Sequence, residues 1–139
     1  MSNENLKDRT KKFALDVIKF VEALPDDRTS RTLGNQLLRA GTSVGANYRA
    51  ASRAKSPADF ISKMGTVEEE ADETAYWMEL LILAGKTKEE RTNSLLLEAD
   101  ELTAIAVSSI NTAKRTKGRG NSEAGISEIP HSALRTPHS

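Results

Sequence analysis

The sequence predicts an all-α protein, an antiparallel up-down-up-down four-helix bundle with a disordered C-terminal tail. Apolar residues recur at steps of three and four along most of the chain, as they do on one face of a helix. Aromatic residues make up only 4% of the chain, so the core must consist mainly of aliphatic side chains, which favours helices over sheet. The bundle is expected at residues 1–117 and the tail at residues 118–139, where Gly, Ser, Pro and both histidines are concentrated.

Capping and breaking residues divide the bundle into four helices. Pro25 ends the first helix, Ser56 and Pro57 suit the cap and the first position of the third, and Gly85 suits the left-handed position after its end. Thr87 opens a capping box for the fourth helix. The predicted helices cover about residues 5–24, 30–55, 57–84 and 88–116. Because the connections are short, consecutive helices are expected to pack antiparallel.

The second helix is the least regular of the four. Thr29 or Ser30 is its candidate cap, and Gly34, Gly41 and Gly45 lie in its interior. Each glycine costs about 1 kcal/mol relative to alanine in a helix, so this segment requires compensating contacts or a bend.

The surface around Gly41 and Gly45 has almost no side-chain bulk, which allows another helix to approach the backbone closely. That helix can belong to the same chain or to another subunit, and the two alternatives are compatible. Asn47 and Tyr48 lie beside this surface and are included in the candidate subunit interface.

The net charge is zero, but the charges are segregated along the chain. Residues 1–57 carry 11 basic and 6 acidic groups, residues 58–113 carry 4 and 12, and residues 114–139 carry 5 and 2. An up-down bundle brings the two chain ends to one pole, where basic residues form either a solvated helix end or a contact for nucleic-acid phosphates. The candidate contacts are Lys7, Arg9, Lys11, Lys12, Lys114, Arg115, Lys117 and Arg119.

Basic residues are concentrated on the second helix and acidic residues on the third. Pairs between them can form within one subunit or across a subunit interface. The candidate interface residues of this kind are Arg39, Arg49, Arg53, Glu69, Asp72 and Glu73. Antiparallel packing places Arg39 near the level of Asp72 and Glu73, and the other two arginines near the start of the third helix. Exposed pairs contribute only about 0–1 kcal/mol each, so they are expected to set register and partner choice more than stability.

Tyr76 and Trp77 are adjacent on the third helix, so their side chains diverge by about 100°. At most one of them can face the centre of the bundle. Trp77 is expected to be a buried edge residue, and either aromatic residue is an alternative anchor for an oligomer contact.

Several chemistries are not expected. The chain has no Cys, and both of its histidines, His131 and His138, lie in the predicted tail without a Glu-x-x-His pair, so we expect no metal site and no cofactor. It has no nucleophile elbow or Walker loop, so we expect no enzymatic activity. No apolar run is long enough to span a bilayer and the N-terminus is charged, so a cytoplasmic protein without a membrane partner is expected.

Three segments carry a family resemblance. They are residues 35–51, which read NQLLRAGTSVGANYRAA, residues 59–64, which read DFISKM, and residues 68–81, which read EEEADETAYWMELL. Together with EADEL at residues 98–102 and SSI at residues 108–110, they resemble the bacterial four-helix-bundle family named for proteins encoded within intervening sequences of 23S ribosomal RNA genes. The similarity covers about residues 6–116.

The resemblance implies an up-down bundle that assembles as a homopentamer, without known enzymatic activity in most members. A related branch includes the accessory variability determinant of diversity-generating retroelements, a basic pentamer that binds nucleic acid and a reverse transcriptase. Our leading hypothesis is a non-catalytic oligomeric interaction protein with structured RNA as the candidate partner. The alternative is an accessory subunit of a retroelement reverse-transcriptase complex, and a structural assembly with a protein partner is third.

Overall fold

The structure, a computed structural model, describes residues 5–118 of the chain. These residues form four α-helices and no strand: α1 at Leu6–Glu22, α2 at Arg28–Ala51, α3 at Pro57–Leu83 and α4 at Glu89–Gly118. The predicted fold class is confirmed. Gly118, expected to begin the tail, is instead the last residue of α4, and the rest of the predicted tail lies outside the described residues.

Helices that are consecutive in sequence pack side by side and run in opposite directions. Thr10 of α1 faces Gly45 of α2, and Val17 faces Gly41, so residue numbers rise along α1 as they fall along α2. The connections after α2 and α3 span only residues 52–56 and 84–88 and reverse the chain again. Among the described helices, none is long and apolar enough to cross a membrane.

The bundle therefore has two distinct ends. We call the end that carries the α1–α2 and α3–α4 connections the loop pole; there, the Lys86 ammonium lies 3.4 Å from the Asp27 carboxylate. The opposite end, with the start of α1, the α2–α3 connection and the end of α4, is the terminal pole.

Side-chain caps fix where three of the helices begin. Asn5 caps α1, and Ser56 caps α3 by accepting the Asp59 N–H at 3.0 Å, as predicted. The α2 cap differs from the prediction: Asp27 accepts the Ser30 N–H at 2.8 Å, so α2 begins at Arg28 and the candidate caps Thr29 and Ser30 lie inside its first turn. The pKa of Asp27 is held below its usual value of 3.8, first by this backbone hydrogen bond.

Helix α2 ends four residues earlier than predicted. The Ala54 N–H donates to the Ala51 carbonyl in a three-residue step, which closes the helix rather than extending it. Ser56 is extended, with φ −158° and ψ 161°, because Pro57 disfavours helical geometry in the residue before it. Gly85 has φ 74° after the end of α3, which confirms the predicted left-handed position.

The glycines of α2 allow α1 to lie directly on its backbone. A Cβ atom on Gly41 would lie 2.8 Å from Cγ1 of Val17, and one on Gly45 would lie 3.1 Å from Oγ1 of Thr10. Val17 is completely buried by this approach. Packing within the chain therefore compensates for the low helix propensity of these two glycines.

The core is aliphatic, as the composition predicts, and all four helices contribute to it. Its fully buried side chains include Phe13, Val17, Leu37, Val44, Met64, Met78, Leu81 and Ala106. Burying a large side chain of this kind contributes about 1.5–3 kcal/mol. The buried hydroxyls of Thr74 and Thr103 donate to carbonyls one turn earlier, at 2.7 and 2.8 Å, so they need no partner on another helix.

Replacing Gly41 with alanine is expected to lower the free energy of unfolding by about 1 kcal/mol or more, because the added methyl group collides with the buried Val17 side chain. Gly65→Ala is the matched control: no atom lies within 4 Å of its added Cβ. That variant should gain about 1 kcal/mol from helix propensity. Urea unfolding of both variants tests this, and equal stabilisation by the two substitutions would contradict the close approach.

Stability should fall as the pH drops below about 3.8, in part through Asp27. A carboxylate whose pKa is lowered in the folded state stabilises that state above its unfolded pKa, and the stabilisation disappears as the pH falls through the folded pKa. Asp27→Asn keeps a capping side chain but removes the titration. Thermal melts between about pH 2 and pH 6 should therefore show a weaker pH dependence for this variant than for the unaltered protein.

Candidate functional site

The predicted nucleic-acid contacts fall in two groups, one in the first half of α1 and one near the end of α4. Lys7 and Lys11 are exposed near the start of α1, and Lys114 and Arg115 are exposed near the end of α4. None of these four cations forms an ion pair with a carboxylate of residues 5–118, although Arg115 donates to the Thr112 hydroxyl at 3.2 Å. The side chain of Lys117 and all of Arg119 lie outside the described part of the chain.

Arg9 has a different role from its basic neighbours. Its Nε and Nη2 donate to the two carboxylate oxygens of Glu98 at 2.6 and 2.9 Å, and Nη2 also donates to Glu101. Hydrogen bonding to Glu98, the largest effect, raises the pKa of Arg9 above its usual value. Arg9 thus links α1 to α4, and its guanidinium is already engaged within the chain rather than directed to a phosphate.

Lys12 is also engaged, but only locally. Its ammonium lies 2.8 Å from the Asp16 carboxylate, one turn further along the exposed face of α1. Hydrogen bonding to Asp16 raises the pKa of Lys12. Of the four predicted cations on α1, Lys7 and Lys11 are therefore the two whose charge is not neutralised by a carboxylate of the described residues.

The predicted charge pairing between α2 and α3 occurs at one arginine. Arg39 contacts Glu70 at 3.2 Å and also pairs with Glu73, as expected from its level in the antiparallel pair. Glu70 was not among the predicted residues. Asp72, which was expected near Arg39, is exposed and, like Glu69, pairs with no cation of the described chain.

Arg49 and Arg53 are exposed and do not reach the acids near the start of α3 within residues 5–118. Asp59, the carboxylate at that level, pairs with Lys63 of its own helix. Hydrogen bonding to Lys63, its largest cause, lowers the pKa of Asp59. Arg49 is thus an exposed charge on α2, and Arg53 is an exposed charge in the α2–α3 connection.

The small-residue surface of α2 is used mainly within the chain. Gly41 and Gly45 face α1, and the Asn47 amide donates to the Ser43 carbonyl at 2.8 Å. Tyr48 is half-buried against the core, and its burial raises the pKa of the phenol. This geometry accounts for the glycines through intrachain packing, and their participation in a subunit contact stays a prediction.

The two aromatic residues of α3 diverge as their spacing predicts. Trp77 is partly buried against the core and donates its indole N–H to Glu73 at 2.9 Å, while Tyr76 is 50% exposed. Their rings meet edge to face, with centroids 5.0 Å apart and an interplanar angle of 70°. Glu73 therefore joins the indole to Arg39, and Tyr76 remains available on the outer surface.

Some features of the surface are not evident from periodicity. Leu83 is 82% exposed and lies on the same outer stripe of α3 as Glu69, Asp72, Tyr76 and Glu79, since these positions are spaced by three and four residues.

A cavity at the loop pole is lined by residues that the hydrophobic periodicity of the sequence did not indicate. Its sequence signal is the group Lys86, Lys88 and Arg91 within an otherwise acidic part of the chain.

The described residues contain no group of His, Asp or Glu side chains placed to hold a metal ion. Within the same part of the chain, no buried side-chain nitrogen or oxygen lacks a hydrogen-bond partner.

The fold and its charged surfaces define the class: an all-α protein, a single four-helix bundle with exposed cations at its terminal pole and an acidic outer stripe on α3. The family model described as 23S rRNA-intervening sequence protein matches residues 3–108, and the chain belongs to that family. The predicted family is thereby confirmed, whereas the relation to the retroelement branch stays a prediction.

A solved structure supports the same relationship. It is a Bacteroides thetaiotaomicron protein described as having unknown function and as coming from the S23 ribosomal protein family. The two chains are 37% identical, with a TM-score of 0.71, and the match covers 76% of this chain and 98% of that one. Comparison with curated proteins finds no match.

Replacing Arg9 with methionine keeps an unbranched side chain but removes the link between α1 and α4. We expect the free energy of unfolding to fall by about 1 kcal/mol, since the ion pair is partly exposed but has two-pronged geometry. Lys12→Met removes a pair within one helix and should change stability less than Arg9→Met does. Chemical unfolding of both variants measures the difference, and equal effects would contradict a structural role for Arg9.

Proposed function

We propose that this chain is a non-catalytic subunit of a cytoplasmic homo-oligomer whose terminal pole binds structured RNA. The observation that carries the proposal is the group of four exposed cations at that pole, Lys7, Lys11, Lys114 and Arg115, which no carboxylate of the described chain neutralises. Uncompensated lysines and arginines supply most of the affinity for nucleic-acid phosphates. The name of the family, which refers to 23S rRNA, favours RNA as the nucleic acid.

Oligomerisation strengthens this proposal because each subunit repeats the same cations. The outer stripe of α3 is a suitable subunit contact: Tyr76 and Leu83 supply apolar area, and Glu69 and Asp72 supply unpaired acids. The outer face of α1 has a complementary character, because the exposed Leu15 lies four residues from both Lys11 and Lys19 on the same helix. A contact between unlike faces of neighbouring subunits generates a closed ring where the rotation between subunits closes, and the pentamer implied by the resemblance is such a ring.

Binding should be measured with a fluorescently labelled RNA stem-loop and the full chain, after light scattering has established the mass of the assembly. We expect binding that weakens steeply between about 50 mM and about 200 mM salt, because condensed counterions are released on binding. Single-stranded polyuridine should bind less tightly if RNA structure is recognised. The absence of binding at the lower salt concentration, by protein of oligomeric mass, would refute the proposal.

A matched pair of lysines on one helix locates the interface. Lys11 and Lys19 are both exposed on α1, but Lys19 lies in the last turn, toward the loop pole. Lys11→Glu should weaken binding and reduce the magnitude of the salt slope by about 1 or more, whereas Lys19→Glu should have little effect. Equal losses for the two variants would indicate a diffuse charge effect instead of a site at the terminal pole.

The retroelement alternative makes a different genomic prediction. An adjacent reverse-transcriptase gene with a repeat pair supports it, whereas a location inside a ribosomal RNA gene supports the proposal above.

A further inference from the structure

A cavity of about 370 Å³ opens at the loop pole, between the end of α1 and the start of α4. Its walls come from four pieces of the chain: the last turn of α1, the α1–α2 connection, the α3–α4 connection and the first turn of α4. It is at the opposite end of the bundle from the proposed RNA contacts. Since α4 has 30 residues, the two ends of that helix are separated by about 45 Å, whereas on α1 Lys11 precedes the cavity residue Phe20 by nine residues, or about 14 Å.

The cavity is a consequence of how α1 is held. Close contact with the glycines of α2 draws α1 toward that helix, and α1 approaches α4 closely at few positions. Near the terminal pole, the long Arg9 side chain crosses the space between α1 and α4 to reach Glu98. At the loop pole an ion pair joins the two connections, Lys86 to Asp27 at 3.4 Å, and the nearby Phe20 and Leu24 are only partly buried.

The walls of the cavity have two kinds of chemistry. Phe20, Leu24 and Pro25 supply an apolar surface on the α1 side, and Lys86, Lys88 and Arg91 supply cations on the α4 side. Apolar walls with a few charged groups on one side are typical of sites for small organic molecules, whose pockets begin at about 300 Å³.

The positive charge of the cavity is largely uncompensated. Lys86 lies near Asp27, whose carboxylate also caps α2 through Ser30. Lys88 and Arg91 are exposed and have no ion-pair partner within residues 5–118. Glu89 and Glu90 lie in the adjacent first turn of α4 but do not line the cavity. The lining itself contains three cations and no carboxylate.

We propose that this cavity binds an organic anion with an apolar body and a single carboxylate or phosphate group. The apolar body packs on Phe20, Leu24 and Pro25, and the anionic group is held by Lys88 and Arg91, with Lys86 at its edge. Both parts of the ligand are required for tight binding. An inorganic anion has no apolar surface to bury against the wall, and a neutral apolar molecule gains no electrostatic attraction from the cations.

The test uses 8-anilinonaphthalene-1-sulfonate, a fluorescent probe that combines an aromatic body with one anionic group. Titrated into the full chain, it should bind at one site per chain with a blue shift. N-phenyl-1-naphthylamine, which lacks the sulfonate, should bind at least about fivefold more weakly, since one partly exposed charge contact is worth about 1 kcal/mol. Equal affinity for the charged and neutral probes would overturn the proposal.

Charge-reversal variants place the probe. Lys88→Glu and Arg91→Glu should each weaken binding of the sulfonate probe by about fivefold or more. Because both positions are exposed, the variants should keep the fold. Lys55→Glu is the matched control, because Lys55 is exposed in the α2–α3 connection at the terminal pole. Circular dichroism checks the folding of each variant. Unchanged probe affinity in both loop-pole variants, or an equal loss in the control, would refute the site.

Displacement of the probe distinguishes the sources of the anionic group. Octanoate displacing the probe more effectively than octyl phosphate indicates a carboxylate ligand, and the reverse order indicates a phosphate ligand; either result supports the cavity. Inorganic phosphate should displace the probe poorly. If it is as effective as the two amphipathic anions, the apolar wall has no role and the proposal is wrong.

Discussion

The close approach of α1 to the backbone of α2 is the constraint on which the rest of the structure depends. Val17 rests on Gly41 and Thr10 on Gly45, at distances that leave no room for a Cβ atom at Gly41. This contact draws α1 onto one neighbour, so the opposite seam with α4 is loosely packed. Both the Arg9 link and the cavity at the loop pole follow from that asymmetry, because a side chain must cross a gap that the backbones leave open.

The charges of the molecule divide into those that hold helices together and those that remain on the surface. Arg9 and Arg39 each pair with two carboxylates of another helix and so fix its register. The uncompensated cations lie at the two ends of the bundle, and unpaired acids lie along the side of α3. A zero net charge thus conceals three surfaces of different sign, each suited to a different kind of contact.

Local signals in the sequence predicted local structure well. Ser56, Pro57 and Gly85 mark the ends of α3 because their effects act over one turn. The prediction of the α2 cap was wrong because Asp27, Thr29 and Ser30 all have side chains that can cap a helix, and the residue type alone does not show at which of them the helix begins. The Arg9–Glu98 link joins residues 89 positions apart, and a cavity depends on the spacing between helices, so neither can be inferred from periodicity.

The one-sided attachment of α1 also has a consequence for the order in which the bundle opens. Helix α1 buries three residues completely or nearly so, Thr10, Phe13 and Val17, whereas α3 buries eight. Across its seam with α4, Arg9 forms a partly exposed ion pair with Glu98. Helix α1 is therefore the segment that we expect to detach at the lowest free energy, and its detachment would expose the glycine face of α2.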